Sequence, residues 1–480
     1  MTEPCDLSAV AARRLIGARG LSPVELLASC LKRIDEVNPA VNAVVAMDPD
    51  RAKQAAKDAE RRVMAGEALG ALHGLPLGVK DLEETEGLRT THGSLIFKDH
   101  VPNEDERGTA VLRAAGAIVL AKTNTPEFGA GANTRNEVYG PTRNPFDPKR
   151  TSAGSSGGSA VALATSMLPI CTGSDTGGSL RTPAAFCGVV GFRTSPGLVP
   201  NERRPLGWTN LSVRGPMGRS VADAALLLSA QAGFDVRDPH SRPVDPAVLR
   251  DPAPIDLSSL RVAYSPDFGG AARIDGTVRA TFLERIKRLS GVFKSCQQRS
   301  PDFTGGDEAF ALIRAQNFLA AHLEKYRTKK DLLGPNVKAN VEEGLRYSAE
   351  DVARGHVLQT KIYRNFQAMF REVDVFIVPV AAVPPFPVET WYPETVDGVK
   401  LGSYFHWLAP AYLITLTGNP ALSLPCGMEP GGTPFALQIV GPHCGDKFVL
   451  SVAHALEQHM QSDPATARPV PDLKKLMGKS

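Results

Sequence analysis

Residues 152–160 read Ser152-Ala153-Gly154-Ser155-Ser156-Gly157-Gly158-Ser159-Ala160, and the meaning of this run decides the fold. A flexible linker is out of place here, because apolar runs alternate with helical patterns on both sides. A phosphate-binding loop needs G-x-x-x-x-G-K-[ST], and no lysine follows these glycines. Gly154-Ser155-Ser156-Gly157-Gly158 fits the nucleophile-elbow pattern G-x-S-x-G around Ser156, but an elbow requires a strand immediately before it. The preceding segment, Asn144-Pro145-Phe146-Asp147-Pro148-Lys149-Arg150-Thr151, carries two prolines that a central strand excludes. The α/β-hydrolase reading fails on that context.

A second glycine-rich segment follows: Gly173-Ser174-Asp175-Thr176-Gly177-Gly178-Ser179-Leu180-Arg181. It lies after the apolar run Leu168 to Cys171 and before Pro183-Ala184-Ala185-Phe186, a strand–turn–helix order. Successive backbone N–H groups in such a turn form an anion-binding concavity, reinforced by a helix N-terminus. A serine at the edge of that concavity is the arrangement acyl transfer needs, a nucleophile beside an oxyanion hole. A third element, Gly74-Leu75-Pro76-Leu77-Gly78-Val79-Lys80-Asp81, ends an apolar strand in lysine. Such a lysine either snorkels to the surface or is desolvated, so that its pKa falls and it can act as a base. Ser-Lys catalysis is a known variant of the Ser-His-Asp scheme. It would account for the lack of a histidine near either Gly-Ser segment, the nearest before them being His100 and the next after His240.

Composition excludes several classes. The chain has 480 residues, 54 basic and 51 acidic, for a net charge of +3. That is no footprint for nucleic acid or an anionic membrane. No apolar stretch approaches the roughly 20 residues of a membrane span, and the N-terminus has no apolar signal-peptide core. Seven scattered cysteines without a C-x-x-C pair indicate neither a zinc site nor a disulfide framework. A cytoplasmic setting is expected. Glycine is abundant, and twelve of the 44 fall between Gly129 and Gly197.

The coarse pattern predicts an N-terminal helical arm (1–70), with a helix opening at Ser22-Pro23, a short strand at Val41 to Met47 and a helix from Asp50 to Ala65. An α/β domain (71–460) follows, then a C-terminal tail (461–480). Strands are predicted at Leu75 to Val79, Ala117 to Ala121, Leu168 to Thr172, Val373 to Val380, Ala421 to Pro425 and Phe435 to Val440. Helices are predicted at Arg107 to Ala115, Ser159 to Ser166 and Lys447 to His459. Residues 240–370 read as a helical cap, with helices at Asp307 to Lys329 and Ala349 to Glu372. Strands alternating with helices predict an α/β fold whose sheet has substantial parallel content and helices on both faces.

The motifs GVKD at 78–81, GSSGGSA at 154–160 and DTGGSLRTPAAFCGVVG at 175–191, with Ser179 24 positions after Ser155, resemble the amidase signature family. Lys122-Thr123-Asn124, Tyr139 to Pro145, Gly215-Pro216-Met217 and Leu416 to Ala421 match it too, and the similarity runs from about residue 7 to 460. The resemblance implies a single large mixed sheet with helices on both faces. It implies a Ser–cis-Ser–Lys triad: Ser179 as nucleophile, Ser155 bridging after a cis bond to Gly154, and neutral Lys80 as base. The N–H groups of Thr176, Gly177, Gly178 and Ser179 would form the oxyanion hole, with Asp175 and Arg181 holding the loop in shape. It implies no metal and no organic cofactor. Ala153, Leu180 and Phe192-Arg193-Thr194 depart from the usual family residues without touching the triad.

In the family the segment Gly129-Ala130-Gly131-Ala132-Asn133 lines the acyl pocket. Small residues there either leave room for a bulky or aromatic acyl group or simply pack against the sheet. The helical region from 300 to 370, with Phe405, Trp407 and Tyr412, is expected to form the outer wall. The implied activity is hydrolysis of a small-molecule amide, with carbamates and esters within the chemistry, by a chain acting alone or as a homodimer, with no nucleic acid or membrane partner. The alternative is the glutaminase component of a tRNA-dependent amidotransferase. Against it, Thr182 stands where that component has Gln, and residues 300–370 lack its Tyr-rich signature.

Overall fold

The computed structural model describes residues 3–478. Its thirteen strands are β1 (Val44–Met47), β2 (Pro76–Lys80), β3 (Ile118–Thr123), β4 (Ile170–Asp175), β5 (Val190–Arg193), β6 (Val213–Gly218), β7 (Arg261–Tyr264), β8 (Ser295–Gln298), β9 (Val375–Pro379), β10 (Thr395–Val396), β11 (Val399–Lys400), β12 (Ala421–Met428) and β13 (Pro434–Val440). Eleven form one sheet in the order β1-β3-β2-β4-β6-β5-β12-β13-β9-β7-β8, while β10 and β11 make a separate hairpin. The fold is therefore α/β with one large mixed sheet, as the sequence implies.

The parallel content is smaller than strand–helix alternation predicts. Parallel pairs occur only on the flanks, β2 with β3 and β4, and β7 with β8 and β9. The middle of the sheet is antiparallel throughout. The connections explain this: no α-helix intervenes between β5 and β6 or between β12 and β13, and parallel neighbours need a crossover that is usually helical. Strand β6 escapes a sequence reading because Pro216 and two glycines sit inside it. Pro216 nevertheless faces Thr172 across the ladder. Residues 240–370, read as helical, also supply β7 and β8 at the sheet edge, both only four residues long.

Local signals set the helices. Ser22 and Glu25 form a capping box at the start of Pro23–Val41, satisfying N–H groups that helix starts otherwise leave open. Leu27, Ile34 and Val37 of this helix join Ile118, Val161, Leu163 and Leu168 in one buried cluster, so the N-terminal segment packs directly onto the sheet. The helices Pro335–Gly344 and Ala349–Met369 both pack on Gly306–Lys329, which walls one side of the functional end.

The Gly-Ser run becomes the buried helix Gly157–Ala164. Its glycines serve close approach rather than flexibility: a Cβ on Gly158 would meet Asn124 N at 2.2 Å and Ala43 O at 2.7 Å, both backbone atoms. Gly158→Ala should therefore cost about 1–3 kcal/mol by overpacking, read as a lowered midpoint in urea denaturation. An unchanged midpoint would show that the backbone yields freely here.

Candidate active site

Strands β2 and β4 run parallel and adjacent, so their C-terminal ends leave the sheet on the same edge, the edge where open α/β sheets build ligand sites. Lys80 ends β2 and Ser174-Asp175 end β4. The bond between Gly154 and Ser155 is cis, as the resemblance implies, and Ser156 sits at the start of the buried helix that follows without a side-chain capping bond.

The Lys80 side chain is fully buried. Its Nζ lies 2.7 Å from Ser155 Oγ, 2.9 Å from Ser156 Oγ and 3.0 Å from Ser174 Oγ, so three hydroxyls and no carboxylate surround it. Burial lowers its pKa to about 7, against the opposing attraction of Glu83 and Asp175. The surface-lysine reading is excluded by this geometry. Sequence reasoning missed Ser156 and Ser174 as neighbours of the amine. Parallel β2 and β4 bring Ser174 there, and strand order is not written in either segment.

Ser155 and Ser179 line one cavity of about 160 Å³ together with Ser174, Thr176 and Gly177. Ser179 is partly exposed and Ser155 is buried. The resemblance implies four N–H groups facing the reacting oxygen. The N–H of Gly178 instead donates to Asp175 Oδ1 at 2.9 Å, and the carboxylate also takes Leu180 N–H at 3.1 Å. This corrects the expectation for Gly178, whose φ of +123° turns the loop and delivers that N–H to the carboxylate. The N–H groups of Thr176, Gly177 and Ser179 have no protein acceptor among the described residues.

Asp175 is the anchor of this loop. Arg181 grips it with two bonds, Nη2 to Oδ1 at 2.8 Å and Nε to Oδ2 at 3.0 Å, and Arg193 reaches its backbone carbonyl at 2.8 Å. Burial would raise the Asp175 carboxyl, but the two guanidiniums overcome this and hold it well below the usual range. Arg181 also reaches Ala411 O at 2.8 Å, Thr415 Oγ1 at 2.9 Å and Gln438, tying the loop to the far half of the sheet. Arg181 is thus a brace. Arg193, one of the departures from the usual family residues, is a second one.

Gly129, Ala130, Gly131 and Ala132 line the cavity, and the main chain turns through positive φ at Phe128 (49°), Gly129 (75°), Gly131 (126°) and Ala132 (58°). Asn133 does not join them. Its side chain donates to Thr390 O at 2.8 Å and accepts from Thr151 Oγ1 at 2.7 Å, a structural use that removes it from the pocket. The outer wall is Phe310, Arg314 and Phe318 from the helix Gly306–Lys329, with Tyr404, Phe405 and Leu408. Only Phe405 of the three expected aromatics lines it. Trp407 and Tyr412 are fully buried, Trp407 against Phe386 and Tyr412 stacked on Phe310 at 4.5 Å. A larger vestibule of about 400 Å³ shares Leu82, Ser174, Thr176 and Arg314 with the inner cavity. Among the described residues, no cluster of three His, Cys, Asp or Glu is arranged to hold a metal ion, and no helix is long and apolar enough to cross a membrane.

Comparison with known proteins identifies the family of the chain. A family model described as Amidase matches residues 25–450. The chain belongs to the amidase family, and is an amidase, a hydrolase of carbon–nitrogen amide bonds. It is 32% identical over 454 residues to an acylamidase of Rhodococcus erythropolis, covering 94% of this chain and 95% of that one. It is 35% identical over 488 residues to a component of the glutamyl-tRNA(Gln) amidotransferase of Acidothermus cellulolyticus, covering 95% of each. The crystal structure of a bacterial aryl acylamidase superposes with a TM-score of 0.86 at 26% identity, over 95% of this chain and 96% of that one.

Removing the anchor gives a direct test of the loop. Asp175→Asn leaves two buried guanidiniums without their counter-charge, which should cost about 3–5 kcal/mol of stability, measured by urea or thermal unfolding. A loss under about 1 kcal/mol would mean that Asp175 does not hold the loop.

Proposed function

We propose that this chain hydrolyses a small-molecule amide through an acyl-enzyme on Ser179. Neutral Lys80 accepts the Ser155 hydroxyl proton as Ser155 takes the proton of Ser179, and Ser179 Oγ attacks the acyl carbon. Negative charge develops on the former carbonyl oxygen, where the N–H groups of Thr176, Gly177 and Ser179 are the available donors. The lysine, now an ammonium, returns its proton through Ser155 to the leaving nitrogen as the C–N bond breaks. Water then repeats the sequence against the acyl-enzyme and frees the acid. The same steps apply to carbamates and esters.

The observation that supports this reading most is the Lys80 amine. It sits 2.7 Å from Ser155 Oγ with its pKa lowered by burial to about 7, so a large share is neutral and basic near neutrality. The substrate reading rests on the aromatic wall of Phe310, Phe318, Tyr404 and Phe405, which suits a flat or bulky group better than the polar side chain of glutamine. The R. erythropolis acylamidase and the bacterial aryl acylamidase lend the same direction.

The glutaminase component of an amidotransferase is the second reading, favoured by the A. cellulolyticus relative. Glutamine hydrolysis by the purified chain, with and without the other amidotransferase components, separates the two. Hydrolysis only in their presence would replace the stand-alone reading.

Covalent labelling by a fluorophosphonate, located by peptide mass spectrometry, is expected at Ser179. Labelling at Ser156 would contradict the mechanism. Ser179→Ala should lose at least about 1,000-fold in kcat, and a variant with wild-type activity would sink the assignment of the nucleophile.

A further inference from the structure

Arg314 is the one charged side chain among the described residues that line the inner cavity. It comes from the helix Gly306–Lys329, its side chain is almost wholly buried, and it also borders the vestibule. Its guanidinium lies 4.3 Å over the Phe405 ring. Arginine carries five N–H donors. Nη1 donates to Tyr404 Oη at 3.1 Å and to Asn340, and Nη2 to Glu343 Oε2 at 3.0 Å. Those bonds leave one N–H on Nη2 for a ligand; Nε also has no partner but is enclosed by protein. Glu343 lines neither the cavity nor the vestibule, and among the described residues no carboxylate lines the inner cavity beside the guanidinium.

A cation in an otherwise uncharged, aromatic cavity carries information about the substrate. With Glu343 already paired to it, a carboxylate from the ligand would make a buried triad with excess negative charge, which desolvation penalises. An uncharged acceptor, such as a carbonyl or nitro oxygen on an aromatic ring, would take a charge-assisted bond without that penalty. We propose that Arg314 is a specificity-determining residue that selects substrates with a neutral hydrogen-bond acceptor on the group lying against the aromatic wall. The inference rests on the acyl-transfer reading of the same cavity.

The test uses two fluorophosphonates with the same linker to a benzene ring, one ending in a 4-acetyl group and the other in a 4-isopropyl group of equal shape. The readout is the ratio of their inactivation rate constants. The wild-type chain should react about tenfold faster with the acetyl probe, the factor expected for one hydrogen bond to a charged group. Arg314→Gln should bring the ratio close to one. Arg314→Lys keeps the charge but not the planar fork; it should lower the ratio as well, and it carries the comparison if Arg314→Gln does not fold. A purely structural role would slow both probes and preserve the ratio. A wild-type ratio near one, or a ratio that survives in the variants, overturns the inference alone. If neither probe labels the wild-type chain, the acyl-transfer reading fails first and the inference falls with it.

Discussion

Burying a lysine amine without a carboxylate beside it costs the folded chain several kcal/mol if the amine stays charged, and that constraint organises the functional end of this protein. Lys80 is enclosed by three serine hydroxyls, partners that can donate to a neutral amine or accept from it. Glu83 and Asp175 pull toward the charged form from further away, and burial outweighs them. The amine is thereby held near its midpoint around neutrality. The same burial is destabilising to keep, so the surroundings must exclude water and hold the hydroxyls in place.

The sheet does this by topology. Two parallel strands deliver Lys80 and Ser174 to one edge, and the Gly-Ser run brings Ser155 and Ser156 over them before entering a helix buried along its whole length. The loop that carries Ser179 is pinned by Asp175, and Arg181 carries the connection onward to the helix Ala409–Thr417 and to β13. That link couples the loop to the antiparallel half of the sheet. The price of this rigidity is glycine at positions where any side chain would strike backbone, as at Gly158.

Much of this was legible in residues 74–191. The ordered lysine, glycine-serine and aspartate-glycine motifs carried the fold, and the helix start at Ser22-Pro23 and the strand at Pro76–Lys80 followed from capping and apolar pattern. What stayed hidden depended on partners distant in sequence. Ser174 looks like any turn serine until β4 lies beside β2. Arg193 looks like a surface substitution until Asp175 is seen buried against it. Tyr412 and Trp407 read as wall residues because aromatic character says nothing about which face of a helix turns inward. Strand β6 was masked by Pro216, tolerated in the middle of the sheet where local propensity argues against it.

The central claim is that neutral Lys80 drives the chemistry, and the pH dependence of inactivation by a fluorophosphonate tests it most directly, since that rate reports the free enzyme. Deprotonation supplies the base, so the rate should rise through a single ionisation near pH 7 to an alkaline plateau, and Lys80→Met should lose both the rate and the ionisation. A rate that is flat or falls across pH 6 to 9, or a Lys80→Met variant that keeps the wild-type profile, would contradict the account.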